Sequence, residues 1–350
     1  VQLSESAGRL KILPAPAIRL EIGLSEGLDS LDLRQNLGEL SEAESSVYLQ
    51  ALRDRRNYIV TPGGDYRLVS LEQRETLIAL LDLFRLWGIE PGSEISRLPR
   101  YRALALDNLI NSEKAAGLLQ VDEQVKLMIR RLREPGVLSF KIPAHLRARL
   151  RPYQKTGFHW LCTLDYYGLG GILADDMGLG KTLQTIAFVS HVWRQGKRPS
   201  LIIAPTSLVY NWLSEFEKFA PHLPVMILDG SRLQRTARLG EIAGNACVIT
   251  SYSLLRRDIE EIGTFSFASC FLDEAQNIKN PETLNARSVK MVQADRCFAL
   301  TGTPIENSLT ELWSIFDFVL PGYLHNHKMF QNIYELPITR DNSKIGRAHV

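Results

Sequence analysis

The sequence predicts an α/β fold, a mostly parallel sheet between helices, preceded by a smaller α+β domain. Three observations carry this. Past residue 140, short and continuously apolar runs end in turn residues and alternate with helical stretches, the pattern of a parallel sheet buried on both faces. One run leads into a glycine loop and a helix start, and another ends on two adjacent acids. Before residue 140 a hairpin and helices replace that alternation. The expected division is 1–140 for the α+β domain, 141–335 for the α/β lobe and 336–350 for a truncated linker.

In chain order, Tyr58-Ile59-Val60 and Tyr66-Arg67-Leu68-Val69 flank Thr61-Pro62-Gly63-Gly64-Asp65, two strands with turn chemistry between them. A helix follows: Ser70 and Gln73 fit a capping box, Leu77, Leu80, Leu81 and Phe84 share one face, and Gly88 can end it. A last helix is expected from Val121 to Arg133, broken by Glu134-Pro135-Gly136. Five strands are then expected: Gly171–Ala174, Leu201–Ala204, Ala246–Thr250, Cys270–Asp273 and Cys297–Thr301. Ligands of such sheets bind at the carboxyl ends of the strands.

Composition bounds the function. The chain has 350 residues, a prior of about two domains, and its ordinary charged and apolar fractions exclude disordered and collagen-like architectures. Lys and Arg number 41 against 39 Asp and Glu, net +2, so no global field draws the chain onto nucleic acid or an anionic membrane and any basic surface is local. Cys162, Cys247, Cys270 and Cys297 form no C-x-x-C pair, which argues against a zinc site or a disulfide framework and for a reducing cytosol. No apolar run reaches the roughly 18 residues of a membrane span, and no signal peptide opens the chain. A start at Val1 reads as a truncated or processed end. The last six residues look like the translation of a sequencing adapter and are left out of fold reasoning.

The chemistry concentrates in two places. Asp175-Asp176-Met177-Gly178-Leu179-Gly180-Lys181-Thr182 stands between a strand and a helix, the context of a phosphate-cradling loop. Gly178 and Gly180 let backbone amides turn toward phosphate oxygens, Lys181 can reach the β- and γ-phosphates, and Thr182 can offer its hydroxyl to Mg2+. The strict G-x-x-x-x-G-K-[ST] pattern is not met, since Asp175 stands at its first glycine. Phe271-Leu272-Asp273-Glu274-Ala275-Gln276 puts two acids at a strand end, Asp273 to hold Mg2+ through water and Glu274 to deprotonate the attacking water.

With these on the page the chain resembles the first RecA-like lobe of a bacterial Swi/Snf-type ATPase, a DNA-translocating branch of helicase superfamily two. Further segments match in order. Leu150-Arg151-Pro152-Tyr153-Gln154 resembles the adenine-reading motif, with Tyr153 on the ring and Gln154 on its edge. Ala204-Pro205-Thr206-Ser207-Leu208 through Trp212, and Thr250-Ser251-Tyr252-Ser253, resemble two DNA-facing motifs; Pro205, Thr206, Thr250 and Ser251 are the residues implied. Asp273-Glu274-Ala275-Gln276 has the bacterial form of the acidic motif. Leu300-Thr301-Gly302-Thr303-Pro304 resembles the motif that couples nucleotide to DNA, with Gln276, Thr301, Gly302 and Thr303 implied in that coupling, and Glu311–Phe318 resembles the helix after it. The family's own loop begins D-D-M-G or D-E-M-G, so Asp175 is no departure.

The resemblance implies ATP and Mg2+ as ligands, double-stranded DNA as the track, DNA-bound proteins such as RNA polymerase as further partners, and a bacterial cytoplasmic, nucleoid-associated location. It implies a second RecA-like lobe with an arginine finger, for which the stretch from Thr301 to Val350 has no room, so this chain alone is expected to bind ATP and turn it over poorly. The hairpin and Arg97-Leu98-Pro99-Arg100-Tyr101 resemble the region preceding the motor in bacterial members, implying a helicase-associated accessory domain; a plain structural extension is the alternative. For the whole, the alternatives are a strand-separating DNA or RNA helicase of the same superfamily and a non-hydrolysing ATP-binding scaffold or toxin-system component. Arg53-Asp54-Arg55-Arg56 reads as a solvated helix end, Phe158 and Trp160 as core, and His191 and His222 lack partners at metal-ligand spacing. The arginines from Arg147 to Arg151 fit phosphate contact and solvation equally.

Overall fold

The computed structural model describes residues 11–25, 30–70, 74–90, 95–110, 117–134, 138–196, 198–305 and 308–337. The chain divides into two units, residues 1–130 and 131–350.

The first unit runs β1 (Ile12–Leu13), β2 (Arg19–Leu24), β3 (Ser30–Asn36), α1 (Glu42–Arg53), β4 (Tyr58–Val60), β5 (Tyr66–Leu68), α2 (Arg74–Leu86), β6 (Ile95–Pro99), α3 (Arg102–Ile110), β7 (Leu119–Val121) and α4 (Glu123–Arg133). The expected hairpin pairs Tyr58 with Leu68 and Val60 with Tyr66. Its turn closes through Thr61 N–H to the Asp65 carbonyl at 2.8 Å, with Gly64 at φ +86. A side chain there would be strained. The helix expected after it buries Leu77, Leu80, Leu81 and Phe84; its proposed cap falls partly outside the described residues. Arg53 closes α1 as a solvated end, paired with Asp82.

A four-stranded sheet in the order β6-β3-β2-β7 was not among the expected elements. Its strands alternate: Leu20, Ile22, Leu31 and Leu33 are buried, while Glu21, Asp32 and Arg34 point away from the core. The last helix begins at Glu123 rather than Val121, because Val121 pairs with Ile22 as the end of β7. The Asp122 carboxylate then accepts the Gln124 N–H at 2.7 Å.

The second unit contains α5 (Pro152–Tyr167), β8 (Gly171–Leu173), α6 (Lys181–Gly196), β9 (Ser200–Ala204), α7 (Val209–Phe219), β10 (Val225–Ile227), α8 (Arg232–Arg238), β11 (Cys247–Ser251), α9 (Tyr252–Ile262), β12 (Ser266–Asp273), α10 (Leu284–Val289), β13 (Gln293–Leu300), α11 (Leu309–Val319) and α12 (His327–Phe330). Six strands form one sheet in the order β10-β11-β9-β12-β13-β8, every pair parallel. Five are the expected strands, and the short edge strand β10 is additional. Both faces of the sheet are dry. On one, Phe271 and Phe298 stack at 4.9 Å and Phe188 of α6 meets both edge-on. On the other, Leu201, Ile203, Leu272 and Ala299 join Ile315 and Phe318 of α11. Phe158 is fully buried, as expected for core. Among the described residues no helix is long and apolar enough to cross a membrane.

Candidate functional site

Parallel pairing brings three separate sequence segments into one row. Asp273 at the end of β12 lies opposite Leu300 of β13, and Leu300 lies opposite Leu173 of β8. The residues that leave these strands at their carboxyl ends are therefore neighbours: the acid pair, Thr301-Gly302, and the loop 174–180.

The loop is built to receive an anion. Gly178 and Gly180 stand at φ +81 and +78, left-handed positions that only glycine takes without strain. Among the described residues the amides of Gly178, Gly180, Lys181 and Thr182 find no protein acceptor, and they gather where α6 begins, the positive end of its dipole. The Lys181 ammonium donates to the carbonyls of Asp175 at 2.6 Å and Asp176 at 3.3 Å. Its third N–H is left for a ligand.

Two side chains hold the loop: Gln184, which sequence reasoning passed over, and Gln154, which it named only for the base. Gln184, fully buried one turn into α6, donates from Nε2 to Asp175 Oδ2 at 2.9 Å. It fits because Gly157 of α5 lacks a side chain: a Cβ there would stand 1.8 Å from Gln184 Oε1. Gln154 accepts the Arg151 N–H at 2.9 Å and donates to the Leu179 carbonyl at 3.1 Å. The missing Cβ of Gly180, which would stand 2.5 Å from Gln154 Nε2, allows that approach. Gln154 keeps one N–H and one lone pair for a ring edge, and Tyr153 beside it is 36% exposed.

The acid pair is held differently. Asp273 Oδ1 accepts the Glu274 N–H at 3.1 Å and Oδ2 accepts the indole N–H of Trp212 at 2.7 Å. Burial pushes the Asp273 carboxyl above its ordinary range, opposed by the bond from Trp212 and by the charge of Lys181. Glu274 takes φ +50, ψ +60, a strained choice for a residue with a side chain. Gln276 donates to Glu274 Oε2 at 2.7 Å and accepts from the Thr301 hydroxyl at 3.2 Å, and Thr301 Oγ accepts the Thr303 N–H at 3.1 Å. Gly302 packs on the loop, its absent Cβ 3.5 Å from Met177 Cγ. The residues named for coupling thus bridge the acid pair and the phosphate loop.

Two sequence expectations need correction. Thr250 and Ser251 were expected to offer hydroxyls to DNA phosphates, yet both are buried. The Thr250 hydroxyl donates to the Leu228 carbonyl at 3.0 Å, tying β11 to the chain after β10, and Ser251 caps α9 by accepting the Leu254 N–H. Polar groups on these central strands have no water and must find partners inside. On the surface beside them lie Thr206, with Pro205 half-buried, and Arg256 and Arg257 of α9.

Comparison with known proteins bears on the whole chain. Residues 153–348 match the SNF2-related domain, and residues 1–143 match the domain described as bacterial SNF2 helicase associated. The chain is 43% identical over 247 residues to the putative ATP-dependent helicase/translocase YwqA of Bacillus subtilis, covering 69% of this chain and 27% of that protein. It is 39% identical over 237 residues to the TATA-binding protein-associated factor MOT1 of Saccharomyces cerevisiae, covering 63% of this chain and 13% of that one. It therefore spans about a quarter or less of these relatives' length. Among solved structures it is similar to the Sulfolobus solfataricus SWI2/SNF2 ATPase core in complex with dsDNA, with a TM-score of 0.54 and 40% identity, covering 58% of this chain and 42% of that one.

Proposed function

The chain belongs to the SNF2-related family, and from that premise we propose that it is the ATP-binding lobe of a motor that moves along double-stranded DNA and remodels protein–DNA complexes. The observation that carries the reading is the single row of Asp273, Leu300 and Leu173, which sets the acid pair, the coupling segment and the phosphate loop side by side.

Each residue then has a task that its surroundings support. The four unpartnered amides and the ammonium of Lys181 bind the phosphates, and Tyr153 with Gln154 takes the base. The donor set fits Mg2+: an aspartate with lone pairs to spare, and the Thr182 hydroxyl, which has no protein partner among the described residues. Bound there, the ion would neutralise charge on the phosphate oxygens. Glu274 is oriented by Gln276 and takes the proton of the attacking water. On the DNA side, Thr206, Arg256 and Arg257 contact phosphates rather than base edges.

The test is ATP hydrolysis by the full-length protein with duplex DNA, single-stranded DNA or RNA added. Stimulation by duplex DNA, lost in Lys181→Ala, is the expected result. Stimulation by RNA alone, or strand separation by the motor, would move the protein to the helicase reading. Nucleotide binding without turnover under any condition would make it a scaffold.

A further inference from the structure

Asp273 is gripped at two points from two different helices. Its carboxylate accepts the Trp212 indole N–H at 2.7 Å, and its backbone carbonyl accepts the Tyr252 hydroxyl at 2.8 Å. Trp212 lies in the first turn of α7, directly after Pro205 and the 3-10 turn Thr206–Leu208. Tyr252 is the first residue of α9, directly after Thr250 and its N-cap Ser251. Trp212 and Tyr252 are 1% and 5% exposed. A buried indole N–H and a buried phenol each need an acceptor. A backbone carbonyl would serve the indole, but here it takes a carboxylate oxygen of the acid assigned to Mg2+.

We infer that Trp212 and Tyr252 are positioning residues through which two surface segments, 205–208 and the exposed Arg256-Arg257 one turn into α9, set the place of Asp273, so that DNA on that surface and Mg2+·nucleotide in the site bind cooperatively. This rests on the functional reading above and adds a route to it that is separate from Gln276 and Thr301. The levers are short. Each runs from a surface segment through no more than one helical turn to a hydrogen bond on Asp273, and helical turns packed in a dense core transmit displacement rather than absorb it. Both bonds lie on the same residue, so a shift of either helix changes one coordinate, the position of Asp273 beside Thr182 and the loop.

Linkage supplies a test without hydrolysis. If DNA tightens nucleotide binding by some factor, nucleotide tightens DNA binding by the same factor. The full-length protein would be titrated with a fluorescent, non-hydrolysable Mg2+·ATP analogue, with and without a random-sequence duplex, as wild type, Trp212→Phe and Tyr252→Phe. In wild type DNA should tighten the analogue by about 5-fold or more, the lower end of usual coupling. In both variants that factor should fall toward one, while DNA affinity without nucleotide stays at the wild-type value. A purely structural role would lower thermal stability or DNA affinity and leave the factor intact, which overturns the inference while the functional reading stands. Wild-type protein that binds both ligands with no coupling overturns it equally. Wild-type protein that binds one ligand or neither defeats the functional reading, and the inference falls with it. Tyr252→Phe removes one hydroxyl and decides the matter alone if Trp212→Phe does not fold.

Discussion

Gly157→Ala tests whether the phosphate loop is held as the structure shows. Gly157 sits inside α5, where helix propensity alone gives alanine an advantage of roughly 1 kcal/mol. The structure reverses the sign. The new methyl would stand 1.8 Å from Gln184 Oε1 and 2.9 Å from its Cδ, and Gln184 is fully buried with its amide on Asp175. Making room swings Gln184 off the Asp175 carboxylate, a charge-assisted bond of about 1.5–3 kcal/mol, and adds overpacking strain of about 1–3 kcal/mol. Set against the helical gain, the net loss is about 1.5–5 kcal/mol. Urea unfolding at unchanged m reads it directly. In a Gln184→Ala background the clash is gone, so the same substitution should there be neutral or stabilising. A rise in stability for Gly157→Ala in the wild-type background would show that Gln184 is not packed against α5 and would refute the argument.

Lys181→Ala should weaken binding of Mg2+·ATP by about 1.5–3 kcal/mol, the worth of a charge-assisted hydrogen bond; equal affinities by titration calorimetry would remove the lysine from the site. Glu274→Gln should bind ATP normally and lose turnover in the full-length protein, because it removes a proton acceptor and no phosphate contact; retained turnover would take Glu274 out of the mechanism. Burial holds the imidazoles of His159, His191 and His222 below their ordinary value of 6.5, with nearby positive charge adding to it. Below that value the unfolded chain binds more protons than the native one, so their contribution to stability is complete above it and declines as pH falls. Urea unfolding at about pH 7.5 and about pH 6 should show the drop, and a flat profile would refute the assignment.

What could be read from the sequence follows from how local each signal is. The strand, glycine loop and helix start at 171–182 and the acids after β12 are contiguous patterns, and both lie where the sequence places them. The sheet β6-β3-β2-β7 was not read, although Leu20/Ile22 and Leu31/Leu33 alternate with polar residues. Its strands are short, and β2 finds its partner at Leu119 only after three helices and a separate hairpin have intervened. The buried fate of Thr250 and Ser251 was illegible for another reason: a hydroxyl at a strand end serves surface or core depending on what packs above it. Trp212 and Tyr252 lay inside segments already singled out, but an indole's partner on another element is a tertiary fact with no trace in spacing.

The hydrogen bonds around Glu274 run in one direction. Thr303 N–H donates to Thr301 Oγ, the Thr301 hydroxyl donates to Gln276 Oε1, and Gln276 Nε2 donates to Glu274 Oε2. Every donor points toward the carboxylate, so the chain is strongest while Glu274 is charged. A proton arriving there removes the charge that assists the last bond, and the loss reaches Thr301 and Thr303, which flank Gly302 against Met177 of the loop. The left-handed backbone of Glu274 serves this arrangement: it turns the chain straight from β12 into the 3-10 turn Ala275–Ile278, so that Gln276 comes back over the acid instead of pointing away. That conformation costs on the order of 1–3 kcal/mol in a residue with a side chain. The turn thereby sets the carboxylate of Glu274 and the amide of Gln276 two residues apart and face to face.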